Sequence, residues 1–226
     1  MTSSPPGTLA VVATPVGNLE DITLRALRTL RECDVVVAED TRRTRVLLSA
    51  HGISRPLVSL PAFDEQRRVP QLLARLGAGE MLALCTDAGT PALSDPGARL
   101  VRAARDAGFT VTPVPGPSAL TAALSGSGMP GDALCFLGFL PRSPARQRRA
   151  VEQPLQLRHT VAFFESPLRL VKTLRVLATV LGDREIVVAR EITKKHETFH
   201  VGTAEQLIAA FAHTPPRGEC TVLVAP

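Results

Sequence analysis

Two rhythms of apolar residues alternate along this chain: short unbroken runs, and longer stretches that repeat every three to four positions. The first kind marks buried strands, and the second marks helices with one face on a core. Residues 9–14 predict a first strand, and Pro15-Val16-Gly17-Asn18 turns the chain into a helix reaching about Leu30. Asn18 or Asp21 can cap that helix, with Ile22, Ala26, Leu27 and Leu30 on its inner face. Residues 34–38 predict a second strand, followed by a helix through Leu48 that Asp40 or Thr41 can cap. Val69, Leu72, Leu73 and Leu76 put a helix over 69–76, closed by Gly77 and Gly79. Residues 82–86 are nearly all apolar with no polar alternation, the pattern of a strand covered on both faces. Asp95-Pro96 reads as a cap followed by a first-turn proline, opening a helix that carries Leu100, Val101 and Ala104 inward. A strand over 109–114 completes this half.

The alternation resumes after Pro115-Gly116-Pro117-Ser118, where a helix through about Ser125 begins. Strands are expected over 133–139, 159–165, 186–189 and 220–225, the last an interior strand because it is wholly apolar. Ser166-Pro167 repeats the cap-then-proline signal before a helix with Leu170, Val171, Leu174 and Leu177 inward, and Thr203-Ala204-Glu205-Gln206 is a capping box. The stretch 141–149 carries four arginines and no acid, and its prolines read as a mobile exposed loop leading into a helix. Strands alternating with helices predict an α/β fold of two domains of roughly equal size. The expected bounds are 8–116, with a parallel sheet, and 117–226, with a mixed sheet. Residues 1–7 read as a disordered leader without the basic and apolar regions of a signal peptide.

Composition narrows the classes. With 226 residues the chain can bury a real core, and with 4% aromatic residues, no Trp and no Tyr, core volume must come from Val, Leu and Ala. Eight Phe cannot supply an RNA-stacking surface rich in rings. The net charge of +5 agrees with a polyanionic partner without demanding one, because basic and acidic residues are thoroughly mixed. Cys33, Cys85, Cys135 and Cys220 are widely spaced and read as small buried hydrophobes in a reducing compartment, not as metal ligands or a disulfide frame. No apolar run is long enough to cross a bilayer, so a cytoplasmic protein with no membrane partner and no metal is expected.

In parallel α/β proteins, ligands bind beyond the carboxyl ends of the strands. The densest such end here is Asp87-Ala88-Gly89-Thr90-Pro91 with Ser94-Asp95-Pro96-Gly97, a ligand loop or a rigid connection. Gly17 allows close backbone approach to a ligand, or simply an unstrained turn. Glu39 and Asp40 beside Arg42 and Arg43 form a functional cluster or an ordinary helix start with dipole-favouring charges. The amides around Pro117 and Ser118 suit a carboxylate or other polar ligand edge, and the flanking prolines also suit a stiff hinge. Arg142, Arg146, Arg148 and Arg149 match phosphate geometry or form a solvated charged face. The charged run 190–197 is a site, with Lys194 or Lys195 reaching phosphate, or a salt-linked turn. There is no P-loop and no Gly-rich dinucleotide fingerprint, which argues against nucleotide hydrolases and dehydrogenases.

Seven of these runs together resemble the ribosomal RNA small subunit methyltransferase I family. They are residues 12–23, Ala38-Glu39-Asp40-Thr41-Arg42, Thr86-Asp87-Ala88-Gly89-Thr90-Pro91, Ser94-Asp95-Pro96-Gly97, residues 113–119, Phe164-Glu165-Ser166-Pro167 and residues 189–194, in unbroken order. The resemblance implies the tetrapyrrole-methylase fold: two α/β domains with S-adenosylmethionine in the cleft between them, commonly as a homodimer. It further implies 2′-O-methylation of a cytidine ribose in small-subunit (16S) ribosomal RNA, acting on the assembled 30S particle. On that reading Pro15, Gly17, Asp87, Ala88, Gly89, Thr90, Pro91, Pro115, Gly116, Pro117 and Ser118 contact the cofactor. Arg142, Arg146, Arg148, Arg149, Arg190 and Lys194 contact the substrate, and Asp87, Glu39, Asp40 and Glu65 are candidates to accept the hydroxyl proton.

The chain departs from the family pattern in two places. Pro61-Ala62-Phe63-Asp64-Glu65 replaces a His-Glu-His-Asn-Glu-like run, and Leu168 stands where a histidine is frequent. Rival readings are a small-molecule tetrapyrrole methyltransferase and a non-catalytic RNA-binding protein.

Overall fold

A computed structural model describes residues 7–226, in which the chain divides into two compact units, one ending at Ser118 and the other running from Ala119 to Pro226. The leader expected over 1–7 lies, apart from Gly7, outside the described residues.

The first unit runs β1 (Thr8–Val12), α1 (Leu24–Glu32), β2 (Val35–Ala38), α2 (Thr41–Ala50), β3 (Leu57–Ser59), α3 (Glu65–Gly77), β4 (Met81–Cys85), α4 (Ala98–Asp106) and β5 (Thr110–Val114). Its five strands stand in the order β3-β2-β4-β1-β5, and every pairing is parallel. Successive side chains of a strand point to opposite faces, and this sheet uses both. Leu9, Leu82 and Leu84 pack with Leu72, Leu76, Leu100 and Ala104 of α3 and α4. Ala10, Val36 and Ala83 pack on the other side with Ala26, Leu30 and Leu48 of α1 and α2. That double cover explains why β4 reads as an unbroken apolar run.

Three expectations about helix starts need correction. Asn18 caps only the short 3-10 turn Leu19–Asp21, and Thr23 caps α1, its hydroxyl accepting the Ala26 N–H at 3.1 Å. A cap must sit in extended backbone one residue before the helix, and Thr23 does. The helix expected over 69–76 begins at Glu65, its first turn held by Asp64 pairing with Arg67 and Arg68, each at 2.8 Å. Asp95-Pro96 does not open α4. Gly97 holds the cap position at φ 122°, and the capping acceptor comes from another helix: Glu65 Oε1 accepts the N–H groups of Gly97, Arg99 and Leu100 at 3.0, 3.0 and 3.3 Å.

The second unit runs α5 (Ala119–Ser127), β6 (Leu134–Phe139), α6 (Pro144–Gln156), β7 (Thr160–Glu165), α7 (Pro167–Leu181), β8 (Ile186–Arg190), β9 (Thr198–Gly202), α8 (Ala204–His213) and β10 (Cys220–Val224). Its sheet is mixed, in the order β6-β7-β10-β8-β9, with β6 parallel to β7 and the other pairs antiparallel. β10, apolar but for the buried Thr221, lies at its centre, and α6, α7 and α8 cover one face through Val151, Leu170, Leu174, Leu177 and Leu207. Ser166 caps α7 and Thr203 forms a capping box on α8. The stretch 141–149 is not a mobile loop beyond Ser143: Pro144 occupies the first helical position, where its missing N–H has no intrahelical partner to lose, so Arg146, Arg148 and Arg149 ride on α6.

Candidate functional site

Parallel strands bring their carboxyl ends to one edge, and the loops that follow β1, β2, β4 and β5 meet there. Past β1, Thr14 pairs with Gly89: the Thr14 N–H donates to Gly89 O at 2.8 Å and the Gly89 N–H to Thr14 O at 3.0 Å. The Thr14 hydroxyl adds a bond to Thr86 O at 3.1 Å, so the loop after β4 is clamped to the end of β1. Thr90 extends the contact to the loop after β5, donating to Pro117 O at 3.1 Å.

Two glycines set the shape of this edge. Gly89 is left-handed at φ 77° and buried, and a Cβ there would touch Pro117 O, Val16 Cγ2 and Ser118 Cα at 3.8–3.9 Å, so the loop after β5 packs directly against it. Gly116 is held close to β1, where a Cβ would stand 3.1 Å from that of Ala13. Pro15, Gly89 and Pro91 are buried, Asp87, Ala88, Thr90, Pro117 and Ser118 half-buried, and Gly17, Pro115 and Gly116 exposed. Nine of the residues expected at the cofactor thus belong to the two loops that Thr14 and Thr90 tie together, and Pro15 adjoins the Thr14 clamp.

The carboxylates divide by role. Asp87 Oδ1 accepts the Asp40 N–H at 3.1 Å, and its Oδ2 lies 3.4 Å from Arg43. Asp40 caps α2 and pairs with Arg42 at 2.6 Å; the Arg42 hydrogen bonds draw its carboxyl down to about 2. Glu39 accepts the Asp87 N–H at 3.5 Å, and burial, with repulsion from Asp87 second, raises its carboxyl above the usual range. Glu65 is a buried cap committed to α4 and leaves this group altogether. Its expected part in proton removal is corrected: all three donors converge on one oxygen inside the protein. Sequence reasoning missed Thr14, whose signal was only a polar residue ending an apolar run.

The other charged clusters resolve differently. Arg190 spends its guanidinium inside the protein, on Thr198 Oγ1, Arg217 O and His196 O at 3.0, 2.9 and 3.2 Å. Lys194 bridges Glu191 and Glu219 at 3.0 and 2.7 Å. Burial favours the neutral amine there, but those two carboxylates outweigh it and Lys194 is raised. Residues 190–197 are therefore a salt-linked turn, with Glu191 and Thr193 both left-handed. The four arginines of 142–149 are separated by helix geometry: Arg148 and Arg149 line a broad cavity of about 870 Å³ with Glu152 and Arg184, whereas Arg142 lines another. Phe63 and Leu168, at the two departures from the family pattern, are each 93% exposed.

A family model described as Tetrapyrrole (Corrin/Porphyrin) Methylases matches residues 8–208. The Thermotoga maritima protein named ribosomal RNA small subunit methyltransferase I is 47% identical over 219 residues, covering 97% of this chain and 98% of that one. Its namesake from Xylella fastidiosa is 48% identical, covering 98% and 82%, and that from Escherichia coli O157:H7 is 45% identical, covering 90% and 71%. Among solved structures, cobalt precorrin-4 methyltransferase superposes with TM-score 0.74 at 20% identity, covering 96% of this chain and 94% of that chain. Thermus thermophilus uroporphyrin-III C-methyltransferase, complexed with S-adenosyl homocysteine, gives 0.66 at 18%, covering 98% and 97%. Likeness at these identities establishes the fold.

Proposed function

Because the chain belongs to the ribosomal RNA small subunit methyltransferase I family, within the tetrapyrrole methylases, we propose that it transfers a methyl group from S-adenosylmethionine to small-subunit ribosomal RNA. The acceptor on this reading is the 2′-oxygen of a cytidine ribose, presented by the 30S particle to a cytoplasmic homodimer. The observation that carries the site assignment is the Thr14–Gly89 clamp, which with the Thr90 bond to Pro117 holds the loops after β1, β4 and β5 together at the carboxyl edge of a parallel sheet.

The residues present suit the cofactor. A sulfonium is cationic, and Glu39, Asp40 and Asp87 stand at this edge against Arg42 and Arg43. Gly89 lets the 115–118 loop pack closely on the loop after β4, and Ala88, Thr90 and Pro91 stand beside it. When bound, S-adenosylmethionine supplies an activated methyl group, so the protein chiefly aligns and shields the acceptor oxygen. Asp87, held by the Asp40 N–H and Arg43, orients the loop and the polar edge of the ligand. Glu39 is the carboxylate best suited to take the hydroxyl proton, since burial raises its proton affinity while Asp40 is acidified by Arg42.

The experiment is transfer of labelled methyl from S-adenosylmethionine to 30S particles from a strain lacking this modification, with the label mapped by nuclease digestion. Label on one cytidine ribose supports the proposal. Label only on a porphyrin-like acceptor makes the protein a small-molecule methyltransferase, and RNA binding without transfer makes it a non-catalytic binder.

A further inference from the structure

Where the start of α6 meets α7, a cavity of about 180 Å³ is lined by Arg142, Pro144, Gln147, Arg169, Lys172 and Thr173. We propose that this pocket receives a backbone phosphate of the RNA substrate, an inference that rests on the rRNA methyltransferase reading above. Three of the lining side chains are cations and none is an acid. Arg142 and Lys172 are exposed, and among the described residues neither forms an ion pair.

Arg169 is fixed from behind. Its Nη2 donates to Leu140 O at 3.1 Å, and its Nε lies 3.4 Å from Glu165 Oε1. Glu165 is buried and already satisfied, accepting the Ser166 N–H at 2.8 Å and the Thr173 hydroxyl at 2.6 Å. The guanidinium is thereby preorganised at the pocket wall, and its remaining edge suits the oxygens of a phosphate.

Gln147 separates this pocket from an ordinary basic surface. It is 4% exposed and lines the cavity, and among the described residues its side-chain amide makes no hydrogen bond to the protein while keeping access to solvent. An amide with no partner in the protein and little exposed surface is served by cavity water, which an incoming oxygen can replace. A phosphate oxygen accepting from that amide, between Arg169 and Lys172, takes the place of such a water. The lining holds no aromatic ring, so the pocket suits the backbone and not a stacked base. The broad cavity beside Arg148 and Arg149 includes Glu152 and is far larger, which suits solvent better than one phosphate.

The full chain, Lys172→Gln and Gln147→Leu are compared in methyl transfer to 30S particles over a range of salt. The expected result is a KM for 30S raised about fivefold or more in each variant with kcat unchanged. Lys172→Gln also lowers the salt slope of RNA binding by roughly 0.7, the loss of one phosphate contact on a single strand. Uptake of S-adenosylmethionine stays the same in all three proteins. A second arm titrates inorganic phosphate and follows its phosphorus-31 line width, which broadens with the parent protein and not with the variants. Unchanged KM and unchanged line width in both variants overturn the pocket. Line broadening lost with KM unchanged makes it a site for free phosphate and overturns the RNA assignment. Failure of the parent to methylate 30S overturns the function itself and the RNA assignment with it, while the phosphate arm still reports on the pocket.

Discussion

Replacing Glu65 distinguishes a helix cap from a catalytic base. Its Oε1 accepts three amide donors from the start of α4, and two of them, on Gly97 and Leu100, belong to buried residues that water does not reach. In Glu65→Ala those donors lose a charged acceptor, and the cost is about 2–4 kcal/mol, between a lost cap and several lost charge-assisted bonds. For a chain of this size the melting temperature then falls by roughly 5–15 °C. Glu65→Gln keeps an acceptor oxygen in the same place and costs only about 1 kcal/mol. Differential scanning fluorimetry reads the stability, and methyl transfer to 30S particles well below the melting range reads the chemistry. A capping role predicts that Glu65→Gln stays within about twofold of the parent rate. Loss of transfer in Glu65→Gln with an unchanged melting temperature refutes the reasoning, as does an unshifted melt in Glu65→Ala.

Gly89→Ala adds a methyl in ordinary contact with Pro117 O and Val16 Cγ2, each at 3.8 Å, so only its left-handed backbone is strained, by about 1–2 kcal/mol. The same methyl is wedged between the loops after β4 and β5, and calorimetry is expected to show S-adenosylmethionine binding weakened about tenfold or more, 1.4 kcal/mol or above. Burial and Asp87 raise the Glu39 carboxyl, so the folded chain keeps that proton to higher pH than the unfolded chain does. Stability from this group is therefore greatest at low pH and declines as pH rises from the usual carboxylate range through the raised value. In Glu39→Gln, urea midpoints measured across that range lose the decline, and methyl transfer falls sharply. Burial pushes the thiols of Cys33 and Cys220 up to about 11, and that of Cys85 further, so maleimide at neutral pH labels none of the three until the protein is unfolded.

Much of this molecule can be read from its sequence where one signal acts locally. The apolar runs of β4, β7, β8 and β10, and the caps at Asp40, Ser166 and Thr203, need only neighbouring residues to be understood. The failures have a common cause in contacts distant along the chain. Asp95-Pro96 carries a convincing local cap signal, yet the acceptor that wins is Glu65, a residue 32 positions from Gly97. The edge strands β3 and β9 are mostly half-buried, so their alternation carries little contrast. At the site, the Asp87–Pro91 loop was visible as an accumulation of glycine, proline and acid at a strand end. Its clamp was not, because Thr14 owes its part to the pairing of β1 with β4. Arg190 and Lys194 looked like phosphate ligands because sequence shows their charge and not the carbonyls and carboxylates that occupy them.

The most direct measurement is titration of S-adenosylmethionine into the folded protein by calorimetry, with and without 30S particles. Loops locked together by Thr14 at the sheet edge predict saturable heat of binding that Gly89→Ala diminishes. A flat titration under both conditions, from protein whose melting curve is intact, contradicts the account.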